Sequence, residues 1–545
     1  NLLSGTYNLT DRILNPDVLF LGTNNNRFEL INAYPWMDFT AKYPGTNWVV
    51  THPRDENQIN VLSEPDWHER HAKDFRILNN ANLNYKFPKF FELDYKYGIE
   101  NWNSEFSDLY KNQEEAPQVA EAFWGTSPKG SLRIDNVRTS YQNSLATLYF
   151  RTDLQKDFGS KLPIRTTAQL SYDWRKSKYN STYAQGLELP QYPPSNISSA
   201  AQKVSGDYNY EYVTFGYLAN LTFDYGSLFG FTAGFRSDYN SDFGDQKKAF
   251  TFPRGTAYLR LSDLFKSTIF SDLKIRAAYG EAGIPPYQFG GYYLRQTTLG
   301  SIQLGSGTGL YLPQIAGNDS LVVQKVKEKE LGLDMTLKPF TGQWLNRITL
   351  STTYWHKRNE DIIQNRSGAP STGVQSTPYN LIDLEIRGLD ASLDMDVFGA
   401  KNFTWQTGFR FGTFKSKVLS VADDKDFVNG VFVVKKGESV GNFYAVTALT
   451  SIDQTRPDKT RYIDPADAGD YEIVNGMVVD KNTKRVVLTD PNDQSLVGNA
   501  YPKFTMSWNN SLVYRGLNLT FQWDWSHGNS VYNLTRQWMY RDRLH

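Results

Sequence analysis

Residues 517–526 read LNLTFQWDWS. Leu517, Leu519, Phe521, Trp523 and Trp525 occupy one parity, and Asn518, Thr520, Gln522 and Asp524 the other. Strict alternation over this length defines a β-strand with one apolar and one polar face. A soluble strand can alternate in this way. It has no reason to end its apolar row in two tryptophans, beside Ser526, His527 and Gly528. Amphipathic rings gather at membrane–water interfaces.

The same pattern recurs along the chain. Tyr217, Ala219, Leu221, Phe223 and Tyr225 alternate with Leu218, Asn220, Thr222 and Asp224. Leu273, Ile275, Ala277 and Tyr279 alternate with Lys274, Arg276 and Ala278. Segments 331–338, 389–397 and 403–411 repeat it, placing Asp334 and Arg410 on the polar parity. Dyad repeats of about ten residues are the signature of outer-membrane strands. Short connections near 87–90, 157–163, 226–230, 338–344, 398–402 and 514–516 alternate with long ones. The long segments are expected at about 16–66, 104–140, 179–210, 282–326, 359–383 and 416–500. Transmembrane barrels have this asymmetry, with short turns on the periplasmic side and long loops outside. The expected fold is therefore all-β: one antiparallel transmembrane barrel domain over 1–545, of which this chain covers roughly 16 strands. A large soluble all-β protein is the alternative, but no propeller-like period of about 40–50 residues is present.

Composition narrows the function classes. Lys+Arg and Asp+Glu balance at 58 each, so no nucleic-acid footprint is present. The absence of cysteine excludes disulfides, thiolate zinc and a cysteine nucleophile. Aromatics reach 15% of the chain, with 34 Tyr, 33 Phe and 13 Trp. No run is apolar enough for a membrane helix. The opening NLLSGTYNLT lacks the basic and apolar regions of a signal peptide, so an interior piece of a longer chain is one expectation.

No constellation points to catalysis. His68 and His71 in HERH lack a third ligand. DPADAGDYE (464–472) invites a calcium reading, but its carboxylates do not follow the spacing of an EF-hand loop. GSGTGL (305–310) lacks the lysine and helix of a phosphate loop. No cofactor or metal is called for. Loop aromatics are the better candidates for ligand contact: Trp67, Phe123, Trp124, Tyr183, Tyr192, Tyr287, Tyr292 and Tyr293. Such rings give rigid contact area at low entropic cost and stack on sugars or peptide side chains. Lumen-facing candidates are Asp224, Arg276, Asp334 and Arg410.

Several stretches resemble one family. TFPRGTAYLRLSDLF (251–265), LKIRAAYGEAG (273–283) and KEKELGLDMTLKPF (327–340) match, in order, motifs of the SusC/RagA family of TonB-dependent transporters. TTYWHKRNEDII (352–363), LEIRGLDASLDMDV (384–397) and VGNFYAVTALTSIDQ (440–454) continue the series. The most specific match is VGNAYPKFTMSWNNSLVYRGLNLTFQWDWSHGNSVYN (497–533), where proline, glycines and the terminal Gly-Asn all fall in register. The resemblance implies a 22-strand barrel in the outer membrane of a diderm bacterium, not an enzyme, filled by an N-terminal plug. It implies partners: membrane lipid, a SusD-like surface lipoprotein, and TonB–ExbB–ExbD acting through an N-terminal segment. It implies import of oligosaccharides or peptides, and a dimer of transporter–lipoprotein pairs. A siderophore-type receptor, a barrel scaffolding a secretion or envelope complex, and a soluble carbohydrate-binding β-protein remain the alternatives. Gly388 and Pro502 are expected to set turns and strand register.

Overall fold

The structure is a computed structural model. It describes residues 2–14, 37–50, 60, 62–63, 67–114, 129–241, 249–265, 267–284, 295–297, 299–305, 307–312, 314–422, 426–429 and 432–541. One sheet dominates. Its first nine strands are β1 (Leu2–Leu14), β2 (His68–Lys86), β3 (Phe91–Tyr110), β4 (Ser131–Asp153), β5 (Ile164–Leu187), β6 (Gln202–Tyr225), β7 (Phe229–Asn240), β8 (Phe250–Arg260) and β9 (Phe270–Ile284). A separate hairpin follows, β10 (Gly300–Leu304) and β11 (Gly307–Tyr311). The large sheet resumes with β12 (Gln324–Leu337), β13 (Trp344–Ser367), β14 (Ser376–Ala400) and β15 (Phe403–Val421). Four short strands, β16 (Phe427–Asn429), β17 (Phe432–Val434), β18 (Asn442–Ala445) and β21 (Ser495–Asn499), pair with one another. Between them lies the hairpin of β19 (Tyr471–Val474) and β20 (Met477–Asp480). The large sheet ends with β22 (Phe504–Tyr514) and β23 (Leu517–His527).

Among the described residues the large sheet has 15 strands in up-and-down order, each antiparallel to its neighbours. Among the described residues its edge strands, β1 and β23, are not paired with each other. Between the edges each strand is laddered to both neighbours, with bulges in β12–β15 and with strand ends that outrun their partners, as β6 does beyond Thr214; lipid demands such pairing within the span.

The dyad pattern sets the two faces. Leu221 is 51% exposed and Trp523 69%, and their parity mates along each strand are apolar. This face has the chemistry of hydrocarbon contact. Aromatic rings mark its limits. Near the short turns, Tyr225 stacks on Phe229 at 5.4 Å, and Trp344 meets Phe398 at 4.7 Å. Farther along, Tyr172 meets Tyr217 at 5.3 Å, and Phe215 stacks on Tyr239 at 4.8 Å. For strands tilted by about 40° and rising ~3.3 Å per residue, Tyr217 and Tyr225 lie roughly 20 Å apart in height, close to an outer-membrane apolar band. The β22–β23 turn is as tight as its sequence suggested. Arg515 and Gly516 both take positive φ, 46° and 92°, as a two-residue hairpin of matching twist requires.

The strands run farther than the alternation predicted. β4, β5 and β6 contain 23, 24 and 24 residues, whereas about 9–11 suffice to cross a bilayer. Much of the expected loops 104–140 and 179–210 is therefore strand. The extensions rise roughly 40 Å along the strand beyond the span. There the outward parity turns polar, as in the Lys176–Glu211 ion pair at 2.6 Å. The expected loop 359–383 is likewise mostly strand, because β13 and β14 pair up to Ser367↔Ser376.

The expected loop 416–500 contains the upper end of β15 and then an ordered cap. Leu449, Ile463 and Val478 form its own core, with Leu449 and Val478 fully buried. Leu449→Ala should cost this cap roughly 2–5 kcal/mol. Limited proteolysis should then cut within 440–500 while the barrel keeps its heat-modifiable mobility on gels. Loss of both together would mean that cap and barrel fold as one unit.

Candidate functional site

The polar parity lines the concave face. Arg276 on β9 donates from Nε to Asp334 of β12 at 3.1 Å and from Nη2 to the Thr353 hydroxyl of β13 at 2.6 Å. Ser351 donates to the same Asp334 at 2.6 Å. The Tyr258 hydroxyl of β8 donates to Asp224 of β6 at 2.9 Å. Arg410 of β15 donates to Asp394 of β14 at 2.8 Å. Of the four lumen-facing candidates, Arg276 and Asp334 are thus brought together. Asp224 and Arg410 each anchor a separate cluster.

Several of these contacts skip a strand, and glycine makes that possible. Asn220 of β6 and Arg254 of β8 join at 2.8 Å across β7. The residue between them is Gly234, where a Cβ would lie 2.1 Å from Asn220 Oδ1. Arg276 reaches Thr353 by lying over Gly332, where a Cβ would come within 2.5 Å of the guanidinium carbon. The side chains therefore lie flat on the wall and tie next-nearest strands together, leaving the space above them open. Gly388, expected to set turns and strand register, sits in mid-strand beneath the Trp355 ring.

A buried ionic knot lies higher on the same face. Asp173 accepts from Arg175 at 2.8 Å and from Arg236 at 2.9 Å, and its side chain is only 7% exposed. Arg236 also donates from Nε to Asp238 at 2.8 Å. Sequence reading singled out none of Asp173, Arg236, Arg254 and Asp390; only Asp390 lies in a stretch whose alternation was read, and the parity of β5, β7, β8 and β14 puts all four on the inner face. Between β13 and β23 the wall forms a groove of about 620 Å³, lined by Ser351, Thr353, Asp390, Arg410, Ser507 and Asp524.

The aromatic candidates are dispersed. Trp67 is 3% exposed, packed 5.6 Å from Tyr110 and 5.8 Å from His68. Tyr183 stands on β5, not in a loop, with the Arg133 guanidinium 4.3 Å above its ring. Tyr192 is 65% exposed in the connection between β5 and β6. Phe123, Trp124, Tyr287, Tyr292 and Tyr293 lie outside the described residues. Among the described residues no cluster of His, Asp or Glu has the makings of a metal site. In the DPADAGDYE stretch, the Asp464 carboxylate is engaged by the Ala466 N–H at 2.9 Å, as a helix cap. Nearby, the Thr483 and Asn482 N–H groups hold the Asp480 carboxyl below its usual range.

Comparison with known proteins gives the following. The family model described as TonB dependent receptor-like, beta-barrel matches residues 14–476. The TonB-dependent receptor P39 of Formosa agariphila is 23% identical over 460 residues, covering 74% of this chain and 42% of the relative. The TonB-dependent receptor P3 of the same organism is 28% identical over 336 residues, covering 58% and 32%. Among solved structures, one described as the RagAB peptide transporter aligns with a TM-score of 0.72 at 14% identity. It covers 92% of this chain and 52% of that one. The chain thus spans about half that structure's chain, and less than half of either relative.

Proposed function

Since the chain belongs to the TonB-dependent receptor β-barrel family of the outer membrane, we propose that it forms much of the wall of an energy-coupled importer for oligomeric solutes, oligosaccharides or peptides. A SusD-like lipoprotein captures solute together with the raised strand ends, and TonB supplies the work. The observation carrying this reading is the pairing of an apolar outer face with an inner face of flat-lying polar networks. A soluble β-protein has no use for a fully apolar exposed face, which would drive aggregation. An inner wall in which most charges are already paired leaves a wide polar surface for a large, weakly held solute. The resemblance over 250–533 to SusC/RagA motifs supports the lipoprotein partner, and the RagAB structure is titled a peptide transporter.

The test is uptake by cells expressing the full-length protein, with and without functional TonB, offered labelled oligosaccharide and peptide mixtures. Uptake should fall at least tenfold without TonB, and a surface lipoprotein should co-purify in mild detergent. Equal uptake in both strains would mean a passive pore.

A further inference from the structure

The outward face of β12–β15 changes character at one row of the ladder. The apolar parity runs upward from the short turns to Leu331 on β12, Tyr354 on β13 and Leu389 on β14. These three are exposed and stand side by side in register. One pair of residues higher, the same parity reads Lys329, His356, Arg387 and Lys415, four basic side chains on four adjacent strands. No carboxylate interrupts that row. The next row reads Lys327, Arg358, Glu385 and Lys417. Carboxylates cancel part of the charge there. Glu385 stands 3.2 Å from His356 and pairs with Arg387. Glu360 pairs with Lys327 at 2.7 Å and with Arg358 at 3.2 Å, and Glu281 of β9 faces Lys327 in register. Lys329, Lys415 and Lys417 are exposed and make no ion pair among the described residues. By contrast, the outward Lys176 of β5 is cancelled by Glu211 of β6. A groove of about 570 Å³ joins the apolar and basic zones. Tyr354 and Leu389 line its apolar part, and Arg387, Lys415 and Lys417 its basic part, together with Glu385.

We propose that this outward patch binds an anionic lipid of the outer leaflet. Its phosphorylated headgroup lies on Lys329, Arg387, Lys415 and Lys417, and an acyl chain follows the groove over Tyr354 and Leu389. Strands tilted by about 40° and rising ~3.3 Å per residue put each basic side chain roughly 5 Å above the residue next below it on the same parity. From there a long side chain lays its stem on the apolar row and holds its charge at the headgroups. Basic clusters that border a membrane span bind anionic headgroups. Phosphate suits this set, because Arg387 offers a planar fork and each lysine a point charge with three donors. Three strand steps of about 4.8 Å make the basic row roughly 14 Å wide, room for a headgroup with more than one phosphate. A zwitterionic headgroup brings its own ammonium, which the lysines repel. A soluble phosphate would leave the apolar half of the groove bare. The patch faces outward, so neither the imported solute nor the filling of the barrel enters it.

The experiment uses the full-length protein in mild detergent, washed free of lipid, with co-purifying proteins retained. The probes are diphosphorylated lipid A, the same lipid dephosphorylated, phosphatidylethanolamine and inorganic phosphate. Native mass spectrometry and protection against heat unfolding read the binding. The diphosphorylated lipid should bind at least tenfold more tightly than either of the other lipids, and the preference should shrink at high salt. K329Q/R387Q/K415Q/K417Q should remove it, and K329R/K415R/K417R, which keeps the charge, should retain it. K176Q/K178Q, outward on β5, should leave it unchanged. Heat-modifiable mobility checks that each variant folds. Equal binding of the phosphorylated and dephosphorylated lipids would overturn the proposal, as would an unchanged preference in the glutamine variant. Inorganic phosphate binding as tightly as the lipid would overturn it in favour of a soluble-anion site. Loss of a co-purifying protein from the glutamine variant, with lipid preference intact, would give the patch to a protein partner instead.

Discussion

Leu393→Arg should cost roughly 2–4 kcal/mol of folding free energy, while Ser392→Arg one residue away should cost little. Leu393 lies on the apolar parity of β14, between Leu350 and Phe409 on the flanking strands. An arginine there would meet hydrocarbon near mid-span. Ser392 points the other way, into the groove that Asp390 and Asp524 also line, where a guanidinium finds both water and acceptors. Denaturant titration of the full-length protein in detergent, with outer-membrane abundance as a cellular check, reads the difference. Equal penalties for the two variants would refute the two-faced wall, because no other property of neighbouring residues separates them so far.

The second large effect is expected at Asp173. Asp173→Ala leaves Arg175 without its carboxylate and strips Arg236 of one of two. Hydrogen bonds to charged groups contribute about 1.5–3 kcal/mol, and loss of a nearly buried acceptor falls in that range. The two arginines are 50% and 34% exposed, so water recovers part of the loss. Asp173→Asn, which keeps an acceptor, should lose clearly less. If Asn and Ala were equally damaging, the charge and not the hydrogen bonds would be what holds the knot.

Much of the wall could be read directly from alternation. Stretches 217–225, 273–279, 331–337, 389–397, 403–411 and 517–525 all lie on strands of the large sheet, and the short connections fall where strands turn. Alternation, however, reports contrast between two environments, not strandedness itself. Above the membrane both faces of β5 and β6 meet polar surroundings, as at Lys176, Lys178, Asn209 and Glu211. The signal vanishes there while the hydrogen-bond ladder continues, so strand was mistaken for loop. The clusters at Gly234 and Gly332 were invisible for another reason. They depend on which residues of three strands share a row, and register is a property of pairing that no single segment encodes. Arg276, Asp334, Asp224 and Arg410 could be placed on the inner face one by one, but not grouped. Tyr183 was misjudged as a loop residue because its strand extends so far.

The up-and-down order of the large sheet has a directional consequence. Reversal at every step leaves the first and the fifteenth strands, β1 and β23, running the same way. Brought edge to edge they would meet head beside head, in the parallel sense. An antiparallel ring therefore admits only an odd number of strands between these two borders, whatever polypeptide supplies them. In lipid the outer edge of the tryptophan-bearing strand, like that of β1, requires a further strand beside it.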